Sequence, residues 1–255
     1  AEAILSRGCD VHFALLVRLD EKDRESHQLR ILDRVAHVGL PAVAVLPAFA
    51  EQDVNAGLVE AVLEEAAKLA AEVLAPLNHP GDMQGARMSP EGVIPADGFA
   101  EAYQKFVAGG WNGIGCHAEF GGQGLPELIN TATQEMWNAS NMSFALCPML
   151  NGGAIEAITR VGSAAQKAMY LSKMVSGEWT GTMNLTESQA GSDLSAVRTR
   201  AVPEGDHYRI FGQKIFITWG EHNMTENTIH LVLARTPDAP EGVKGISLFI
   251  VPKFL

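Results

Sequence analysis

The chain is poor in positive charge, in cysteine and in long apolar stretches, and each shortage closes off a class of function. Lysine and arginine number 19 against 30 aspartates and glutamates, a formal net charge of -11. Neutralising a phosphate backbone or an anionic lipid surface takes Lys or Arg at each contact, so nucleic acid is not an expected partner. No apolar run approaches the roughly 20 residues needed to cross a bilayer. The first thirty residues carry Glu2, Asp10, Asp20, Glu21, Asp23 and Glu25 around their apolar patches, so neither a signal peptide nor a membrane span is expected. The three cysteines, Cys9, Cys116 and Cys147, are odd in number, widely spaced and without a paired Cys or His at ligand spacing. They predict a reducing, cytoplasmic location and no bound metal. Internal repeats and low-complexity tracts are missing as well.

What is present is an ordinary globular composition, 47% hydrophobic and 19% charged over 255 residues, enough for one or two domains with real cores. From about Gly57 to Gly177 the apolar residues recur at helical spacing. Leu58, Val59, Val62, Leu63, Ala66, Leu69, Ala70 and Val73 form one stripe, which Pro76 is expected to close. A second, Phe99, Tyr103, Phe106 and Val107, stops at Gly109-Gly110, and a third runs through Leu128, Ile129, Ala132, Met136 and Trp137. The last helix opens on Ser163 with Gln166 three residues later, a capping-box spacing, and continues to about Val175.

After Glu178 the period changes. Glu178 to Leu185, Tyr208 to Phe211, Gln213 to Thr218, Thr228 to Ala234 and Gly245 to Val251 are short runs rich in β-branched and aromatic residues. Pro203-Glu204-Gly205-Asp206 is turn chemistry that predicts a hairpin between a strand near Val197 and one at Tyr208. Helices first and strands afterwards, without βαβ alternation, predict an α+β chain and argue against a Rossmann sheet. The expected organisation is an unassigned segment over 1–50, a helical domain over 51–176 and a β domain, barrel or sandwich, over 177–255. The run Val38 to Pro47 reads as a loop or linker.

Two segments carry the most chemical information. In Met183-Asn184-Leu185-Thr186-Glu187-Ser188-Gln189-Ala190-Gly191-Ser192-Asp193-Leu194 a short apolar run precedes Thr186, and the small-residue turn Ala190-Gly191-Ser192 keeps little bulk between the backbone and another molecule. Lys214-Ile215-Phe216-Ile217-Thr218-Trp219-Gly220 reads as a strand that sets the flat ring of Phe216 beside the Thr218 hydroxyl. Hydroxyls, free amides and one aromatic plane suit a flavin.

Other chemistries fail on context. Gly121-Gly122-Gln123-Gly124 has no βαβ unit around it and no Gly-Lys-Ser/Thr, so it reads as a structural turn between helices. Ser192 lacks the Gly-X-Ser-X-Gly elbow and a histidine at a recognisable spacing, which argues against a hydrolase. Asp193 sits where a turn or cap wants it, Glu187 and Glu221 fit surface or hydrogen-bonding roles, and His222 reads as a loop residue. No catalytic residue is assigned.

From about residue 55 onward the chain resembles the acyl-CoA dehydrogenases, in particular the long branch that includes 3-methylmercaptopropionyl-CoA dehydrogenase. The resemblance rests on Gly177-Glu178-Trp179-Thr180-Gly181-Thr182-Met183-Asn184-Leu185-Thr186-Glu187, the Ala190-Gly191-Ser192-Asp193 turn, Phe211-Gly212-Gln213-Lys214-Ile215-Phe216-Ile217-Thr218 and Gly242-Val243-Lys244-Gly245-Ile246-Ser247-Leu248-Phe249. The turn Glu119-Phe120-Gly121-Gly122-Gln123-Gly124-Leu125 adds to it. Carried over by position, the resemblance implies that Met183, Leu185, Thr186, Gly191 and Ser192 bind FAD, with Ser192 also near the acyl-CoA, and that Phe216, Ile217 and Thr218 line the isoalloxazine. It implies α,β-dehydrogenation of an acyl-CoA thioester, an electron-transfer flavoprotein or similar acceptor, and a homo-oligomer. Ser188 stands where the family commonly has proline, and Trp219 where it has a small polar residue. Family members continue into a second helical domain that supplies the catalytic glutamate, which this chain is expected to lack. The alternative is a catalytically incomplete relative that binds flavin or acyl-CoA, or a truncated scaffold.

Overall fold

The structure is a computed structural model that describes residues 54–90 and 92–255, so the unassigned segment over 1–50 lies outside it. Helix α1, Ala56–Lys68, opens on Asn55, whose Oδ1 accepts the Leu58 N–H at 3.0 Å. Pro76 does not close the helical run. A wide π turn, Leu69–Leu74, leads straight into α2, Ala75–Gln84, which puts Pro76 in a first helical turn where its missing N–H costs little. A two-stranded hairpin follows, β1 (Arg87–Ser89) with β2 (Gly92–Ile94). Helix α3, Phe99–Ala108, ends at Gly109-Gly110 as its stripe predicts.

The third stripe is only the front half of α4, Glu127–Val161, a 35-residue helix broken at Asn141 (φ -157°, ψ 88°). The break is built by the Asn141 side chain. Its Oδ1 accepts the Phe144 N–H at 3.1 Å and caps the second half, while its Nδ2 donates to the Leu74 carbonyl at the end of the π turn, also at 3.1 Å. Helix α5, Ala164–Ser176, carries both hydrogen bonds of the Ser163–Gln166 capping box and closes on Gly177 at φ 84°, a left-handed C-terminal position. The Gly121–Gly124 segment is a structural turn, paired back to the chain by Gly122 N–H to His117 O, Gln123 N–H to Gly113 O and Gly124 N–H to Cys116 O.

The β half begins with β3, Trp179–Asn184, parallel to β6, Asn227–Ala234, which pairs antiparallel with β7, Ser247–Pro252. The expected hairpin is β4 (Arg200–Glu204) with β5 (His207–Phe211), turning at Gly205-Asp206, its first strand starting at Arg200 rather than near Val197. The Ala201 N–H to Arg235 O bond at 2.8 Å ties this hairpin to the end of β6. Gln213 to Thr218 is not a strand. The stretch meets β3's extension through one backbone bond, Ile215 N–H to Thr186 O at 3.0 Å, and Phe216 and Trp219 adopt φ of 57° and 52°, which no ladder accommodates. β3 pairs with β6 on one side and leaves its other edge open, so the cause lies in the stretch itself: the left-handed backbone at Phe216 breaks the extended run that its β propensity predicts.

Among the described residues two large buried clusters, with a smaller one of Val59, Ile114 and Ile129, hold the molecule together. Leu69, Leu74, Phe99, Tyr103, Phe106, Trp137 and Phe144 form the helical core. Ile155, Ile158, Leu171 and Met174 pack with Ile229 and Leu231 of β6 and so glue helices to sheet. β3 approaches α4 so closely that a Cβ on Gly181 would stand 2.5 Å from that of Ala154.

Candidate functional site

The end of β3 and the loop after β5 make one local structure, organised around a buried carboxylate. Past Asn184 the chain turns tightly, Glu187 and Ala190 exchanging both backbone hydrogen bonds at 3.0 Å. This leaves Gly191 and Ser192 exposed, with open space where a Cβ of residue 191 would stand. Asp193 caps the short turn Leu194–Ala196, its Oδ1 accepting the Ser195 N–H at 2.9 Å and hydroxyl at 2.6 Å, bonds that hold the carboxyl below the usual carboxylate range.

Glu187 is only 4% exposed and accepts five hydrogen bonds. They come from Lys214 Nζ (2.8 Å), Thr199 Oγ1 (2.5 Å) and N–H (3.0 Å), Arg198 N–H (2.8 Å) and Gln189 Nε2 (2.6 Å). Burial by itself pushes its pKa up, but the donors, led by Lys214 and Thr199, outweigh it and bring the value down to about 2. Lys214 also donates to the Leu185 carbonyl at 3.0 Å. The ion pair therefore staples the turn to the second motif, and the hydrogen-bonding reading of Glu187 holds.

Of the eight residues that the sequence points to, none is buried. Met183, Gly191, Ser192, Phe216 and Thr218 are exposed, and Leu185, Thr186 and Ile217 are half-buried. Phe216 is 89% exposed. The Ile215–Thr186 hydrogen bond sets the two segments side by side. Two cavities elsewhere, one of about 530 Å³ along α4 and one of about 970 Å³ between the end of α4, α5, β5 and β7, contain none of the eight in their walls.

The remaining candidate acids are occupied. Glu221 pairs with Lys253 at 2.5 Å. His222 lies in a loop, as read, yet is only 2% exposed. Its Nδ1 accepts the Met224 N–H at 3.2 Å, which leaves Nε2–H to donate to Thr180 Oγ1 at 3.0 Å. Burial lowers its pKa to about 4, with Lys253 and His230 adding to the effect and Glu221 opposing it.

Sequence reasoning missed three residues that shape the site. Lys214 was visible only as part of a motif. Arg235 forks onto the carbonyls of Val197 (2.8 Å), Ser195 (2.8 Å) and Pro240 (3.2 Å), fastening the turn that follows Ser192. Trp219 donates from Nε1 to the Ser143 carbonyl of α4 at 2.8 Å. Apart from Pro240, five residues from Arg235, these partners lie 27 to 76 residues away, where no sequence signal reaches.

The helical half matches the family model described as acyl-CoA dehydrogenase, N-terminal domain, over residues 59–178, and the β half that of the acyl-CoA dehydrogenase middle domain over 182–254. The chain belongs to the acyl-CoA dehydrogenase family. It is 52% identical over 216 residues to 3-methylmercaptopropionyl-CoA dehydrogenase of Ruegeria pomeroyi, covering 84% of this chain and 36% of that one. To a butyryl-CoA dehydrogenase of Syntrophomonas wolfei it is 37% identical, covering 77% and 33%. The chain thus spans about a third of these relatives' length. Among solved structures it resembles butyryl-CoA dehydrogenase of Megasphaera elsdenii, with a TM-score of 0.62, 24% identity and coverage of 77% and 48%, a likeness of fold.

Proposed function

We propose that this chain supplies the flavin- and thioester-orienting part of an FAD-dependent acyl-CoA dehydrogenase. The observation that carries the reading is the Ile215–Thr186 hydrogen bond, which joins the hydroxyl-bearing turn to the loop presenting Phe216. The residues fit a flavin. Phe216 offers a bare aromatic face, Thr186, Ser192 and Thr218 offer accessible hydroxyls, and Gly191 leaves room for close approach. Met183, Leu185, Thr186, Gly191 and Ser192 together with Phe216, Ile217 and Thr218 would hold FAD, Ser192 also touching the acyl-CoA. When bound, FAD would supply the acceptor for the hydride that leaves the acyl β-carbon. The chain's own residues orient the two reactants. Glu187, Asp193 and Glu221, the carboxylates in or beside the two motifs, are each committed to the structural bonds above, and no base for the α-proton is assigned to them.

Similarity to the Ruegeria pomeroyi enzyme favours 3-methylmercaptopropionyl-CoA as substrate. An electron-transfer flavoprotein would reoxidise the cofactor, in a homo-oligomer in the cytoplasm. The test is spectroscopic. Purified protein carrying these residues should be yellow, and its flavin band should bleach faster with 3-methylmercaptopropionyl-CoA than with butyryl-CoA. A yellow protein that no acyl-CoA bleaches would leave a flavin-binding but catalytically incomplete relative, and a colourless one at saturating FAD would end the flavin reading.

A further inference from the structure

We infer that Trp219 is a positioning residue that sets the pose of the flavin-facing loop from the helical half of the molecule. The inference rests on the flavin reading of Phe216 to Thr218 given above. Among the described residues, Phe216 and Trp219 are the two non-glycine positions with φ in the left-handed region, at 57° and 52°, and they bracket Ile217 and Thr218. Bulky residues hold that conformation only where the surroundings enforce it, and such strain concentrates where a loop has to present something.

The two residues differ in what holds them. Phe216 is 89% exposed. Trp219 is held at three points: its Nε1 donates to the Ser143 carbonyl at 2.8 Å, its ring stacks on Phe99 at 6.1 Å between centroids and 28° between planes, and its edge meets His222 at 5.6 Å and 74°. Ser143 lies two residues beyond the break in α4, and its hydroxyl donates to Asn141 Oδ1 at 2.7 Å. Asn141 in turn reaches the Leu74 carbonyl. The loop is therefore pinned at one end by Lys214 on Glu187 and at the other by Trp219 on a buried bend of the helical domain, with Phe216 free between the pins. Trp219 fixes where the Phe216 ring and Thr218 hydroxyl stand before a ligand arrives, which spares FAD the cost of ordering them.

The test compares W219F, which keeps a ring for Phe99 and His222 but loses the hydrogen bond, with W219A and F216A in the FAD-loaded protein that carries this chain. The readouts are the FAD dissociation constant and the visible circular dichroism of the bound flavin, which reports the asymmetry of its surroundings. W219F should weaken FAD binding about fivefold and alter the dichroism with little change in melting temperature, and W219A should weaken it further. F216A should alter both readouts as well. Normal FAD affinity and dichroism in W219F, beside altered values in F216A, would overturn the positioning role alone. Unaltered values in F216A would overturn the flavin reading and this inference with it. If W219A does not fold, W219F decides.

Discussion

Lys214 Nζ lies 2.8 Å from Glu187 Oε1, and the two side chains are only 9% and 4% exposed, so a nearly dry ion pair joins the two motifs that define the candidate site. Removing one partner of such a pair leaves the other charge buried without its compensation, which costs more than the pair's net contribution. Lys214→Met should therefore destabilise the protein by about 3 kcal/mol. The double substitution Lys214→Met with Glu187→Gln should recover part of that loss. Urea unfolding of both variants measures it, and additive losses would show that the two groups are not energetically coupled.

Gly181 faces Ala154 Cβ at 2.5 Å, Met174 Cε at 2.8 Å and Asn151 Oδ1 at 3.2 Å from where a side chain would begin. Met174 Cε can swing aside, but Ala154 Cβ is fixed to the α4 backbone and cannot. Gly181→Val should overpack the seam between helices and sheet and cost about 3 kcal/mol or more. A melting temperature equal to that of the parent would mean that β3 shifts off α4 without loss.

Acid should weaken the fold in two stages. The unfolded chain protonates His222 below its ordinary 6.5, but the buried ring resists until about 4. In that window the unfolded state holds more protons, so stability is full above pH 6.5 and falls as pH descends. Glu187 adds a second loss between its ordinary 4.5 and about 2, where the unfolded carboxylate protonates first. His222→Asn should flatten the dependence of unfolding free energy on pH between 6.5 and 4 while leaving the lower branch. A slope unchanged in the upper window would assign it to other groups.

The capping box at the start of α5 makes a smaller, local prediction. Ser163→Ala removes the acceptor for the Gln166 N–H and should cost about 1 kcal/mol. Thermal unfolding checks it, and no loss would mean that water replaces the hydroxyl.

Local signals were read correctly wherever the cause was local. The Ser163–Gln166 box, the Gly109-Gly110 stop and the Gly205-Asp206 turn act through bonds and backbone preferences within a few residues, so the α+β order and most element positions follow from them. The two motifs were also legible, because small residues, hydroxyls and one aromatic ring stand at short spacing in the chain. Pro76 misled because a π turn absorbed it, and Gln213 to Thr218 because the left-handed backbone at Phe216 interrupts the extended run its β propensity predicts. The break at Asn141 has a local half, its cap on the Phe144 N–H, and a distant half, the Leu74 carbonyl 67 residues away, which no neighbouring residue announces. By itself, then, the sequence determined the order of helices and strands and the residue types at the site. Which side chains hold those residues in place was decided only in three dimensions, because Glu187 with Lys214 and Trp219 with Ser143 meet across 27 and 76 residues. No short stretch of chain contains both partners of either bond, and only the fold brings them together.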